Sequence, residues 1–180
     1  MNPANNLIFI GPMGAGKTSI GRRVAERFGL AFVDADHYLE AQTGVAVRDI
    51  FELEGEAGFR RRESTALTAL CAGHDQLIAT GGGVVLDPGN RALLRDSGYV
   101  VWLRCSVDRQ IERLAHDRTR PLLAAPDRRQ RLEQLAKIRD PLYAECCDYV
   151  FESDQRRVAV AAEHLGLALC ERWQRTRDAA

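Results

Sequence analysis

The chain has 180 residues, of which 46% are hydrophobic and 28% are charged, a composition that excludes a disordered or fibrous protein. Lys and Arg together number 25, as do Asp and Glu, so the basic excess typical of a nonspecific nucleic-acid binder is missing. The length suits one α/β domain over residues 1–180, with a core large enough to need no disulfide or structural metal. We therefore expect no nucleic-acid partner.

The cysteines and the apolar runs indicate the cellular compartment of the protein. The five cysteines are odd in number and form no CxxC pair, which argues against a zinc site and a secreted disulfide framework. No apolar run reaches the roughly 18 residues of a membrane helix, and the first six residues are too few and too polar for a signal peptide. These features predict a cytoplasmic protein with free thiols and no membrane partner.

Short apolar runs alternate with amphipathic stretches along the chain. The runs occupy residues 7–10, 31–33, 77–79, 99–103 and 149–151. Continuous apolar runs suit parallel strands that are covered on both faces. Between the runs, apolar residues recur at helical spacing, as in Ile20, Val24 and Phe28, and in Leu132, Leu135 and Ile138. The alternation predicts an α/β fold, a three-layer doubly wound sheet of five parallel strands with flanking helices.

The first predicted strand leads into a phosphate-binding motif. Residues Gly11–Thr18 read GPMGAGKT and match GxxxxGK[ST] in the expected context, after a strand and before a helix. Glycines let the backbone curl around an anion, and the helix N-terminus adds a positive dipole end. We expect Lys17 to reach the β- and γ-phosphates and Thr18 to ligate Mg²⁺. The chain contains neither NKxD nor DxxG, so a small-molecule kinase is favoured over a GTPase.

Two carboxylates follow the second predicted strand. Asp34 and Asp36 are separated by one alanine and lie where a doubly wound sheet binds its ligands, at the carboxyl ends of the strands. They could divide their roles between a metal and a substrate hydroxyl. Alternatively, Asp36 could simply cap a helix over residues 37–42.

An arginine-rich helical stretch and a glycine triplet come next. In Phe59–Glu63, consecutive arginines point about 100° apart on a helix, so only one or two of them can face a pocket. Glu63 lies at i+3 from Arg60 and could orient it. The triplet Gly81–Gly83 follows the third predicted strand, where it either admits a ligand close to the backbone or makes a plain turn.

The last features surround an irregular stretch of the chain. Residues 104–139 contain ten basic and five acidic residues, a local excess that suits an anionic ligand or a solvated helix face. Within this segment, residues 117–127 have no periodicity and include two prolines, so we predict a surface excursion. Arg139 precedes Pro141, Leu142 and Tyr143 near the end of a predicted helix and, taken alone, would be a surface residue.

In their order and spacing, these motifs resemble those of the shikimate kinase family over about residues 7–157. The motifs that carry the resemblance are Gly11–Thr18, Asp34–Asp36, Phe59–Arg61 with Glu63, Gly81–Gly83, Arg120–Leu123, and Arg139 before Pro141–Tyr143. The resemblance implies a P-loop kinase fold, with a lid at about 117–127 and a substrate-binding region at about 35–62. It also implies ATP as co-substrate, Mg²⁺ as cofactor, shikimate as acceptor and a monomer.

The resemblance further implies a role for individual residues. Asp36 would contact the shikimate hydroxyls, and Asp34 would lie near Mg²⁺ through water. The shikimate carboxylate would be bound by Arg60 and Arg139, with Gly82 also touching the substrate. The residues implied for ATP are Gly14, Ala15, Gly16, Lys17, Thr18, Ser19, the lid residue Arg120, and Arg113 and Arg156 near the adenine. Lys17, Asp36 and Arg120 would be catalytic.

Two other functions remain open from the residues alone. Another small-molecule kinase, such as a gluconate kinase, would also need arginines for a carboxylate. The combination of Asp36, Arg60, Gly82 and Arg139 favours shikimate. A nucleotide-binding regulatory module that has lost catalysis is disfavoured because the phosphate-loop lysine and the carboxylates are present.

Overall fold

The computed structural model describes residues 5–115, 127–154 and 157–174. The strands are β1 (Asn6–Ile10), β2 (Ala31–Asp34), β3 (Gln76–Ala79), β4 (Gly98–Arg104) and β5 (Tyr149–Glu152). The helices are α1 (Lys17–Phe28), α2 (Ala35–Thr43), α3 (Val47–Cys71), α4 (Pro88–Ser97), α5 (Val107–Arg113), α6 (Arg128–Cys146) and α7 (Val158–Arg172), with a short 3-10 helix at Val84–Leu86. No helix in these ranges is long and apolar enough to cross a bilayer.

The five strands form one parallel sheet in the order β2-β3-β1-β4-β5. β1 therefore lies at the centre, paired with β3 on one side and β4 on the other. All strands point the same way, so the segments that follow β1, β2 and β3 emerge at one edge of the sheet. The predicted fold class is confirmed.

The two faces of the sheet explain why the strand sequences are continuously apolar. Leu7 and Phe9 of β1 pack with α1 and α7 residues such as Val24 and Leu165. Ile8 and Ile10 of the same strand pack on the opposite face. Because successive side chains of a strand point to opposite faces, a strand covered by helices on both faces must be apolar at every position.

The helix patterns predicted from sequence are correct with one exception. Ile20 and Val24 of α1 are buried in the core, and Phe28 packs partly against it. Leu132 of α6 is buried, but Ile138 is 58% exposed. Ile138 therefore departs from the predicted apolar face of this helix, whereas the next residue, Arg139, is buried.

The predicted substrate-binding region, residues 35–62, is held by a small core of its own. Leu39 of α2 packs with Ile50, Phe59 and Ala66 of α3. The helix α3 is kinked at Gly55, where φ is 67° and ψ is −175°, and this positive φ favours glycine. The part of α3 that follows the kink packs under α2 through Phe59 and Ala66 and also carries Arg60 and Glu63.

Candidate active site

The loop between β1 and α1 has the backbone conformation of an anion cradle. Three of its residues, Gly11, Gly14 and Gly16, have positive φ values of 137°, 77° and 92°. Gly16 precedes α1 and offers no side chain to cap it, so the N–H groups of the first helical turn remain available to an anion. The buried Ala15 donates its own N–H to the Pro12 carbonyl at 3.3 Å.

Lys17 bends back over this loop. Its Nζ atom donates to the carbonyl oxygens of Gly11 at 2.7 Å and Pro12 at 2.9 Å. The ammonium is thus held directly above the cradle, where an incoming phosphate oxygen can replace a carbonyl oxygen as its acceptor.

Asp34, the last residue of β2, links two parts of the site. One carboxylate oxygen, Oδ2, accepts from the Thr18 hydroxyl at 2.8 Å. The other, Oδ1, accepts from the backbone N–H groups of Asp36 at 3.1 Å and His37 at 3.5 Å. Asp34 is therefore the N-cap of α2. The alternative in which Asp36 caps a helix over residues 37–42 was wrong, because α2 begins at Ala35.

The donors beside the phosphate loop suit Mg²⁺. Thr18 and Asp34 bring a hydroxyl and a carboxylate together, and hard oxygen ligands are what this ion prefers. No cluster of three or more His, Cys, Asp or Glu side chains that could hold a metal occurs in the described part of the chain. Mg²⁺ usually keeps several waters and binds substrate phosphates besides one or two carboxylates, so the residues fit the ion.

Arg60 and Glu63 form a pair within α3. Arg60 Nη1 donates to Glu63 Oε2 at 2.6 Å, at the i+3 spacing expected from the sequence. Glu63 is only 6% exposed, and its Oε1 atom has no hydrogen-bond partner in the described part of the chain. Burial raises the pKa of Glu63, and the opposing charge of Arg60 does not offset it. Of the neighbouring arginines, Arg61 is exposed and Arg62 pairs with Glu54.

The glycine triplet Gly81–Gly83 lies where these groups converge. A Cβ on Gly81 would stand 2.5 Å from Glu63 Oε1 and 3.4 Å from Asp36 Oδ1. A Cβ on Gly83 would overlap the Arg60 guanidinium. None of the three glycines has positive φ, so the missing side chains serve close approach and not an unusual backbone conformation.

Arg139 reaches the triplet from α6. Its side chain is 6% exposed, and its Nε atom has no hydrogen-bond partner among the described residues. The Nη1 atom lies 3.6 Å from the position of a Cβ on Gly82. Against the effect of burial, the charges of Arg60 and Arg139 both act to lower the pKa of Glu63. Two guanidinium groups thus flank the same three glycines.

Arg113, at the end of α5, ties the phosphate loop to the opposite wall of the cleft. Its Nη1 atom donates to the Gly14 carbonyl at 2.9 Å, and Nη2 donates to the Ser153 carbonyl at 2.5 Å. Ser153 follows β5. Arg113 therefore fixes the distance between the phosphate loop and the segment that leads into α7.

A cleft of about 430 Å³ lies at the carboxyl ends of β1, β2 and β3 and is lined by the phosphate loop, Asp34, Asp36, Gly81, Gly82 and Arg113. Residues 13–169 match the family described as shikimate kinase. The chain belongs to the shikimate kinase family.

Relatives and solved structures agree with this assignment. A shikimate kinase from Stenotrophomonas maltophilia strain K279a is 56% identical over 97% of each chain. One from Xylella fastidiosa strain 9a5c is 48% identical over all of both chains. The structure of a shikimate kinase from Acinetobacter baumannii in complex with shikimate has a TM-score of 0.88 and 41% identity, covering 96% of this chain and 97% of that one. The resemblance to the shikimate kinase family is confirmed.

The cleft brings together most of the residues that the sequence predicted. Its lining includes Gly14, Gly16, Lys17, Thr18, Ser19, Asp34, Asp36, Gly82 and Arg113. Arg60 and Arg139 flank the cleft beside the glycine triplet. Arg120, Arg156 and the lid at 117–127, apart from Asp127 at the start of α6, lie outside the described residues.

Some members of this shikimate kinase site were missed by sequence reasoning. Thr80 and Leu114 line the cleft, as does Arg157, the neighbour of the predicted Arg156. Tyr143 hydrogen-bonds to the triplet through the Gly82 carbonyl. The sequence signal for Tyr143 was its spacing, since it follows Arg139 by four residues and so lies on the same face of a helix.

Proposed function

We propose that this chain transfers the γ-phosphoryl group of ATP to the 3-hydroxyl of shikimate, giving shikimate 3-phosphate and ADP in chorismate and aromatic amino-acid biosynthesis. The observation that carries the proposal is the convergence of a phosphate loop and two guanidinium groups on one glycine triplet. A Cβ placed on Gly82 would lie 3.6 Å from Arg139 Nη1 and 3.6 Å from the backbone N atom of Met13 in the phosphate loop.

The acceptor half of the cleft suits a small ring acid. Arg60 and Arg139 offer planar forks of N–H donors that match a carboxylate. Arg139 is almost completely removed from bulk water and Arg60 is 24% exposed, so the ion pair with Arg139 would be stronger than one at the surface. Asp36 lines the same cleft as the phosphate loop and lies beside Gly81 of the triplet, where it would contact the ring hydroxyls.

The transfer step then needs little covalent chemistry from the protein. Asp36 orients the 3-hydroxyl and accepts its proton as the hydroxyl oxygen bonds to the γ-phosphorus. The bond between the γ-phosphorus and the β–γ bridging oxygen breaks, and ADP leaves. Lys17 exchanges the Gly11 and Pro12 carbonyls for phosphate oxygens and stabilises the charge that develops on them.

Mg²⁺ bound at this site would neutralise charge on the β- and γ-phosphates. Thr18 would hold it directly and Asp34 through a water. The 2.8 Å hydrogen bond between these two side chains aligns both oxygens before any ligand arrives.

The remaining parts of the proposal concern the nucleotide and the cell. Arg120 would close over ATP as part of the lid at 117–127, and Arg113 and Arg156 would flank the adenine. All five cysteines are free, which supports a reducing compartment such as the cytoplasm. We further propose that the enzyme acts as a monomer without a nucleic-acid or membrane partner.

A coupled ADP-release assay tests the proposal against its nearest rivals. The acceptors are shikimate, gluconate and nucleoside monophosphates, each with ATP and Mg²⁺. We expect turnover with shikimate to exceed that with the other acceptors by orders of magnitude. Turnover on gluconate with none on shikimate would refute the proposal, and ATP binding without transfer to any acceptor would indicate a regulatory module.

A further inference from the structure

Tyr143 is a fully buried tyrosine whose hydroxyl is directed at one acceptor. Its ring packs against Trp102, with ring centroids 5.6 Å apart. Its hydroxyl donates to the carbonyl oxygen of Gly82. Phenylalanine would fill the same volume without a polar atom to satisfy, so packing alone does not account for tyrosine at this position.

The Gly82 carbonyl that accepts this hydrogen bond belongs to the glycine triplet, around which the proposed shikimate site is built. The peptide between Gly82 and Gly83 is planar and trans, so fixing the Gly82 carbonyl also fixes the direction of the Gly83 N–H. Arg60 lies against Gly83, and Arg139 lies against Gly82. A rotation of this peptide would move the triplet relative to both guanidinium groups.

Tyr143 also shares its helix with one of those groups. It follows Arg139 by four residues in α6, which places the two side chains one above the other on the same face. One helix therefore presents the Arg139 guanidinium and clamps the loop against which that guanidinium packs.

The hydrogen bond has a fixed direction. Burial raises the pKa of the Tyr143 hydroxyl, which therefore keeps its proton throughout the physiological range, and a carbonyl oxygen can only accept. Loss of the Tyr143 proton therefore does not release the triplet near neutral pH.

We propose that Tyr143 is a positioning residue for the acceptor substrate: its hydroxyl fixes the Gly82–Gly83 peptide and thereby the spacing between Arg139, Arg60 and the bound carboxylate. The inference rests on the proposed function, since it concerns the same acceptor site. Tyr143 does not line the cleft that would hold the reacting groups, so it would act through the triplet.

The test compares Tyr143→Phe with the native enzyme. Tyr99→Phe is the matched control, because Tyr99 is a partly buried tyrosine near the start of β4, at the opposite end of the sheet from the cleft. For Tyr143→Phe we expect KM for shikimate to rise by about three- to tenfold, the effect of one neutral hydrogen bond. KM for ATP and kcat should stay within about twofold, and Tyr99→Phe should change none of the three.

A second variant distinguishes the loss of the hydroxyl from a defect in folding. Tyr143→Met also lacks the hydroxyl but can adapt its shape to the cavity, so it should raise KM for shikimate to a similar extent. An unchanged KM for shikimate with a lowered Tm would overturn the inference and leave Tyr143 a packing residue. Equal increases in the KM of both substrates would overturn it as well.

Calorimetric titration with shikimate separates this inference from the proposed function. Native protein that binds shikimate but does not phosphorylate it would refute the function, and the Kd of Tyr143→Phe would still test the role of the hydroxyl. Native protein that gives no heat with shikimate would refute both.

Discussion

The two halves of the cleft are built in different ways. The nucleotide half is a single run of chain, Gly11–Thr18, whose binding groups are mainly backbone N–H groups and the N-terminus of α1. The acceptor half is assembled from side chains on α2, α3 and α6 around the triplet that follows β3. One half is local in sequence, and the other exists only once the sheet has formed.

The difference extends to electrostatics. On the nucleotide side, the Lys17 ammonium is satisfied by two carbonyl oxygens of its own loop. On the acceptor side, three buried atoms have no hydrogen-bond partner within residues 5–115, 127–154 and 157–174, namely Arg60 Nε, Arg139 Nε and Glu63 Oε1. Buried unpaired polar atoms are costly, so the acceptor half holds groups whose partners would come with the substrate. Substitutions in the two halves should therefore impair different properties of the enzyme, kcat in one half and shikimate binding in the other.

The largest effect is expected on the nucleotide side, at Lys17. Lys17→Ala removes the charge that stabilises the transferring phosphoryl group, and we expect kcat to fall by about 100- to 1,000-fold or more. The folded protein should persist, because Lys17 is only partly buried and lies at a loop end. Steady-state kinetics with a thermal denaturation check would measure both.

The chain offers a natural control for that variant. Lys137 is the only other lysine and is exposed on α6, so Lys137→Ala should leave kcat unchanged. A near-normal kcat for Lys17→Ala would contradict the catalytic role of its ammonium.

The second effect is expected on the acceptor side, at Arg139. Arg139→Ala should weaken shikimate binding by about 2–5 kcal/mol, the range for losing one partner of a desolvated ion pair, and should change ATP binding much less. Arg139→Lys keeps the charge but loses the planar fork, and its affinity for shikimate should lie between those of the native enzyme and Arg139→Ala.

Arg131 supplies the comparison within the same helix. It is exposed on α6, and Arg131→Ala should bind shikimate normally in calorimetric titrations. If Arg139→Ala weakened ATP and shikimate equally, Arg139 would belong to the nucleotide half, and the division of the cleft would be wrong.

The same division explains what the sequence could predict. The phosphate loop was readable because its binding groups are contiguous, and the five strands were readable because both faces of the sheet are covered. The family motifs indicated Asp36, Arg60, Gly82 and Arg139, but no local pattern showed that they meet.

Three features needed the folded chain. Asp34 caps α2 through one carboxylate oxygen, while its other oxygen accepts from the hydroxyl of Thr18, which is 16 positions away in sequence. Ile138 is exposed because α6 turns Arg139 inward. The Tyr143 hydrogen bond joins residues 61 positions apart, which no periodicity of a single helix reveals.

The smallest effect, and the finest test of the comparison, concerns pH and Glu63. Burial raises the pKa of Glu63 above its ordinary value of 4.5, so the folded state binds this proton more tightly than the unfolded state does. The stabilisation linked to that proton is complete below pH 4.5 and is lost as the pH rises through the folded-state pKa. Glu63→Gln cannot titrate, so the unfolding free energy of the native enzyme minus that of the variant should fall through this window and stay level above it.

At neutral pH, the Glu63→Gln substitution should lower the affinity for shikimate even though it removes the cost of burying a charged carboxylate. In the Glu63→Gln variant the amide oxygen would still accept from the charged Arg60, but the acceptor loses its own charge and the bond weakens, so KM for shikimate should rise by less than in Arg139→Ala. Glu52→Gln is the control, because Glu52 pairs with Arg48 on the exposed face of the same helix, where ion pairs contribute little. A pH-independent difference between native enzyme and Glu63→Gln would mean that Arg60 offsets the burial of this carboxylate, and the acceptor half would then be as well satisfied as the phosphate loop.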